Sequence, residues 1–134
     1  MVLLESTYNS ISTSLLDRAF DLMESLGGDV QKSSGVVTAV FPLLGTYVLS
    51  RQPPKREIWL SSPVSGPHHF RGHPSDAPIS WLNRSGDALF SFLSNELTSS
   101  LASHGLSTRN DNLTNEMANN NRVSKVKKES VGLE

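Results

Sequence analysis

The stretch GTYVLSRQPPKREIWLSSPVSGP, residues 45–67, decides the fold. Two β-rich runs, Thr46–Ser50 and Glu57–Leu60, flank the turn-forming Pro53-Pro54, and Ser61-Ser62-Pro63 closes the second run. Proline lacks the N–H that a sheet ladder needs, so it punctuates strands rather than continuing them. So short a connection predicts a hairpin and antiparallel pairing, because a parallel crossover takes a dozen residues or more. Alternation along Glu57-Ile58-Trp59-Leu60 sends Ile58 and Leu60 to one face and Glu57 and Trp59 to the other. Ile58 and Leu60 suit the core, which leaves Trp59 on the open face with Ser50 and Gln52 of the neighbouring strand beside it. A tryptophan there is a typical interface anchor, since it offers large contact area at little entropy cost. Burial of Trp59 beneath a loop is the alternative.

Further strands and two helices extend outward from this centre. Val36–Phe41 is β-branched and bounded by Gly35 and Pro42, a strand pattern. Asp29–Ser33 reads as a short edge strand and Ile79–Leu82 as a later one. Upstream, Tyr8, Ile11, Leu15, Ala19, Leu22 or Met23, and Leu26 recur at spacings of three and four, predicting an amphipathic helix over Ser6–Leu26. Ser6 or Thr7 is the expected N-cap and Gly27-Gly28 the stop. Downstream, Leu89, Phe92 or Leu93, Leu97 and Leu101 predict a second helix over Asp87–Ser103, with Asp87 as N-cap and Gly105 as terminator. Residues 105–134 have no aromatic side chain, many asparagines and a basic cluster at Lys125, Lys127 and Lys128. Such a composition buries too little apolar surface to offset ordering entropy, so a disordered tail is expected beyond a folded unit at 1–104.

Composition narrows the function classes. A length of 134 residues argues for one domain. With 12 Lys and Arg against 13 Asp and Glu, the net charge of −1 excludes a strongly basic nucleic-acid binder. The absence of cysteine excludes disulfides, thiol catalysis and thiolate ligation of zinc or iron–sulfur clusters by this chain. No apolar run approaches the roughly 18 residues that a spanning helix needs, so no membrane association is expected. Residues 1–5, MVLLE, show neither the basic flank nor the apolar core of a signal peptide, and no Arg-rich amphipathic transit segment is visible.

The motifs GTYV, RQPP, IWLSSP and SGP, in this order and spacing, resemble the signature of the frataxin family, with Arg51 in place of the usual Lys. Glu5-Ser6-Thr7-Tyr8, the SGVVT run at residues 34–38, Trp81 and Asn95-Glu96-Leu97-Thr98 extend the resemblance over about residues 5–101. It implies an α+β fold, a two-layer sandwich with two helices on one face of an antiparallel sheet. It also implies a monomeric protein of the mitochondrial matrix that serves iron–sulfur cluster assembly. Such a protein binds iron weakly at an acidic ridge and activates the complex of cysteine desulfurase and scaffold protein. Ferroxidase activity, oxidising Fe(II) to Fe(III) at the ridge, is the alternative that the resemblance carries.

The ridge falls on the first helix. Asp17, Asp21 and Glu24 stand three to four residues apart and share one face. Asp29 extends the line past the glycine break, and Glu5 marks its N-terminal end. Carboxylate oxygens suit iron where no thiol or imidazole competes, and an open row gives weak, multi-site binding. A solvated helix face is the bland alternative. The row is sparse, since Asn9, Ser10, Thr13, Ser14 and Ser25 stand where the family is usually richer in Asp and Glu. By the same resemblance, Ser50, Gln52, Trp59 and His69 form the partner-binding face, with Ser50 in place of the usual Asn and His69 in place of a basic residue. His68, His69 and His73 read as surface histidines, because neighbours in a strand point to opposite faces and no fourth ligand is apparent. Asp87 and Glu96 read as cap and helix surface.

Overall fold

Strand alternation decides which side of the sheet the helices cover. A computed structural model describes residues 3–105, so the expected tail, apart from Gly105, lies outside the described residues. Helix α1 spans Glu5–Ser25. Six strands follow: β1 Asp29–Ser33, β2 Val36–Phe41, β3 Gly45–Gln52, β4 Glu57–Ser62, β5 Gly66–His73 and β6 Ser80–Leu82. Helix α2, Leu89–Ser103, closes the domain. The strands pair antiparallel in sequence order, β1-β2-β3-β4-β5-β6, so β4 sits inside the sheet between β3 and β5. This is the α+β two-layer sandwich implied by the motifs.

One sheet face carries Val37, Ala39, Phe41, Tyr47, Leu49, Ile58, Leu60, Phe70 and Trp81, all buried. Against them lie Tyr8, Leu15, Leu16, Ala19 and Met23 of α1, and Leu89, Leu93, Leu97 and Leu101 of α2. The helical stripes predicted from spacing are the buried ones, except that Ile11 is half-buried and that Ser12 and Leu16 join the covered face of α1. At about 25 cal/mol per Å² of apolar surface removed from water, this single layer is the dominant favourable term in folding. Close approaches favour glycine at several positions, Gly72 and Gly45 among them. A Cβ on Gly72 would meet Leu3 Cδ1 at 2.8 Å and the Trp81 ring at 3.1 Å. Gly45 adopts φ +120° with Pro63 at 2.7 Å from where a Cβ would stand.

Four local expectations are corrected. Neither Ser6 nor Thr7 caps α1; Leu4 holds the N-cap position without a side-chain bond, because Leu3 and Tyr8, both buried, set where the helix starts. Asp87 does not cap α2 either. Its backbone is spent in a tight turn, accepting from Asn83 N and donating to Asn83 Oδ1 at 2.9 Å, and Ala88 precedes the helix. Residues 66–73, assigned to no strand by the sequence, form β5. His68, expected at the surface, is half-buried on the helix side, its ring centroid 4.4 Å from that of Phe92.

Candidate functional site

Among the described residues nothing packs over the sheet face away from the helices, and the predicted partner-binding residues meet on this bare face. Trp59 is the centre. Across the ladders it pairs with Ser50 on β3 and His69 on β5, so all three point the same way. Its indole lies flat against the His69 imidazole, with centroids 4.1 Å apart and planes 7° from parallel. The Trp59 Nε1–H donates to Glu57 Oε1 at 2.8 Å. Gln52 pairs with Glu57 in register and donates to Ser50 Oγ at 3.3 Å. Trp59 is half-buried, short of the full burial of a core residue, and its contacts on this face are with His69 and Glu57. Ile58 and Leu60, to either side of it in sequence, are fully buried beneath the helices.

Glu57, which the sequence reading left without a role, is the most confined carboxylate of this face, with 10% of its side chain exposed. Besides Trp59 it accepts from Arg71 Nη2 at 3.2 Å, and His69 Nδ1 stands 4.0 Å from it. Burial pushes its pKa up, but the indole hydrogen bond and the Arg71 guanidinium outweigh that and hold it below the ordinary carboxylate value. The signal was present in the strand pattern, since Glu57 lies two residues before Trp59 and shares its face. Beyond this cluster an open groove of about 700 Å³ is lined by His69, Arg71 and His73 of β5 and by Asn83 and Arg84 after β6.

The ridge residues are placed more loosely. Asp17, Asp21, Glu24 and Asp29 are exposed. At 3.6 residues per turn the first three fall within about 60° of one another. Glu5 is displaced from Asp17 by roughly 18 Å along the axis and about 120° around it. Lys32 of β1 forms an ion pair with Asp17, so one carboxylate of the row already has a partner. Among the described residues, no three His, Asp or Glu side chains come together as a ready-made metal cage.

On the covered side, Glu96 is not simply helix surface. Its Oε2 accepts from Tyr47 at 2.7 Å and Ser62 at 2.5 Å, and its Oε1 from Ser65, whose hydroxyl also meets His68 Nε2 at 2.8 Å. Burial and the bond to Glu96 raise the Tyr47 pKa. At the other end of the sheet, buried Tyr8 donates to the Glu57 carbonyl at 2.7 Å and accepts from Gln52 N at 3.0 Å. Arg51 reaches across to α1, donating to Ser12 Oγ at 2.8 Å and Asn9 Oδ1 at 2.5 Å. A lysine ammonium is a single point charge and would not present this two-pronged planar fork.

Fold and site together define a small α+β sandwich whose antiparallel sheet is clothed on one side and carries an aromatic–carboxylate cluster on the other. Residues 1–103 match the family model described as the frataxin-like domain, and the chain belongs to that family. It is 49% identical over 59 residues to the mitochondrial frataxin homologue of Schizosaccharomyces pombe, covering 42% of this chain and 37% of that protein. The Drosophila melanogaster homologue, also named mitochondrial, is 35% identical over 111 residues, covering 75% and 58% respectively. The chain thus spans less than two thirds of the length of these curated relatives. Their names agree with the mitochondrial location implied by the motifs. A solved yeast frataxin superposes with a TM-score of 0.61 at 33% identity, covering 73% of this chain and 83% of that one. A trimeric frataxin from Saccharomyces cerevisiae, complexed with ferrous iron, gives a TM-score of 0.56 at 33% identity, covering 76% and 89%.

Proposed function

We propose that this protein activates a cysteine desulfurase–scaffold complex in iron–sulfur cluster assembly, docking through the bare sheet face with Trp59 as anchor. The observation that carries the reading is the Trp59 arrangement. A large aromatic ring stands on an uncovered face, stacked on His69 and hydrogen-bonded to Glu57. Core tryptophans are normally hidden, whereas a rigid, partly exposed one surrounded by polar side chains has the make-up of a binding hot spot. Ser50, Gln52 and His69 supply the polar surround. Membership of the frataxin family supports the choice of a desulfurase–scaffold complex as the proposed partner.

Iron binding belongs to the same proposal, as weak association along Asp21, Glu24 and Asp29, with Asp17 shared between the metal and Lys32. Carboxylate oxygens suit Fe(II), and the Saccharomyces cerevisiae relative complexed with ferrous iron supports the assignment. Glu5 contributes least, since helix geometry separates it from the others. Iron is here a cargo, and the ridge is proposed to bind rather than oxidise it. The test of the main proposal is sulfide release by a purified desulfurase–scaffold complex with and without this protein. A rate that does not change on adding a molar excess would overturn it.

A further inference from the structure

Glu57 offers the strongest unexplained arrangement. A carboxylate with 10% of its side chain in water is costly to keep ionised unless donors are aimed at it. Two donors of the bare face are so aimed, the Trp59 indole N–H and the Arg71 guanidinium, and the His69 ring stands 4.0 Å off. The Tyr8 hydroxyl meanwhile pins the Glu57 backbone carbonyl from the opposite side of the sheet. The carboxylate is therefore fixed at its root and at its tip.

Its effect on Trp59 follows from geometry. Stacking on His69 sets the plane of the indole but leaves the ring free to slide or turn over within that plane. The indole has one donor, its Nε1–H, and bonding that edge to Glu57 selects a single orientation. We infer that Glu57 is a positioning residue for Trp59, holding the indole in the orientation in which a partner meets it. The inference rests on the docking reading above and goes beyond it by naming what preforms the anchor. Freezing one side chain before association spares an entropy loss that corresponds to about a two- to tenfold gain in affinity.

The experiment uses indole N–H resonances of the full ¹⁵N-labelled chain. There are two tryptophans, so two signals are expected, from Trp59 and the buried Trp81. Glu57→Met keeps the bulk and removes the acceptor, and the Arg71 guanidinium it leaves unpaired is 62% exposed, so no charge is stranded in the interior. Glu57→Gln retains an acceptor oxygen. Glu57→Met should speed solvent exchange of the Trp59 indole proton at least about tenfold, leave Trp81 unchanged, and weaken binding to the desulfurase–scaffold complex about two- to tenfold. Glu57→Gln should restore both. Unchanged exchange in Glu57→Met overturns the inference, as does faster exchange at unaltered affinity, or a Glu57→Gln variant that behaves like Glu57→Met. The docking reading fails separately: a Trp59→Ala variant that binds as tightly as wild type removes it, and this inference with it, whatever the exchange rates.

Discussion

Replacing Trp59 with alanine is the perturbation that separates a docking anchor from a structural tryptophan. The structure sets the expected stability cost. The substitution removes a flat stack on His69 and one hydrogen bond to the Glu57 carboxylate, both on a half-buried ring. An aromatic pair contributes about 0.5–1.5 kcal/mol. A hydrogen bond to a charged group adds about 1.5–3 kcal/mol in full, and less where water can replace the donor, as it can here. The sum is roughly 1–3 kcal/mol, below the about 3–5 kcal/mol typical of truncating a buried tryptophan. For a domain of this size that lowers Tm by roughly 4–24 °C. Loss of an aromatic hot spot costs about 2–4 kcal/mol of binding, or roughly 30- to 1000-fold in Kd. The assay pairs thermal unfolding with titration of the desulfurase–scaffold complex. Affinity should fall by one and a half to three decades while unfolding remains cooperative. An unchanged affinity per folded molecule would refute the reasoning, and a Tm drop beyond about 24 °C beside it would make Trp59 a structural residue. Gln52→Ala, on the same face, should weaken binding by less, since its amide rests on Ser50 Oγ and offers no comparable area.

Three further outcomes are expected. Lys32→Ala frees Asp17 from its ion pair and should tighten Fe(II) binding measured by calorimetry, whereas weaker or unchanged binding would detach Asp17 from the ridge. Glu57 has a pKa below its ordinary value, so it contributes stability above the unfolded value of about 4.5 and loses it as pH falls through the folded one. Glu57→Gln should therefore flatten the decline in Tm below about pH 4.5; parallel wild-type and variant profiles would contradict this. Tyr47 has a raised pKa, so its contribution is intact below about pH 10 and lost as pH rises beyond that. Tyr47→Phe should cost about 1–2 kcal/mol at neutral pH in urea unfolding and show a shallower alkaline loss than wild type.

Strands and helical stripes were legible because burial imposes a period. Val36–Phe41, Thr46–Ser50 and Glu57–Leu60 are strands in the structure, and Ile58 and Leu60 face the core as alternation requires. Strand β5 was not, because His68-His69-Phe70-Arg71-Gly72 is poor in β-branched residues and is held extended by pairing with β4 on one side and β6 on the other. The two misplaced caps have the same cause. Tertiary contacts of Leu3 and Tyr8, and the bridge between Leu82 and Ala88, fix the helix starts before any side-chain cap does. The Lys32 pair with Asp17 joins residues 15 apart and depends on how β1 runs beside α1, which no local pattern reveals.

The carboxylates Glu57 and Glu96 show how the strand beneath Trp59, the proposed anchor, is held. A binding residue is only as well placed as the element beneath it. Strand β4 is flanked by β3 and β5, so both its edges are hydrogen-bonded. Its first residue, Glu57, is held on the bare face by Arg71 and through its carbonyl by Tyr8. Its last residue, Ser62, is held on the covered face by Glu96 of α2, which also takes the Tyr47 hydroxyl from β3. Trp59 lies between two tethered ends, with Ile58 and Leu60 sealed into the core on either side. Movement of its backbone would have to break one of these ties or open the apolar layer. What freedom remains to Trp59 is in its side-chain torsions, and the His69 stack and the Glu57 hydrogen bond restrain those. The bare face therefore presents a preformed surface, and the entropy that a flexible loop would lose on docking has already been lost in folding.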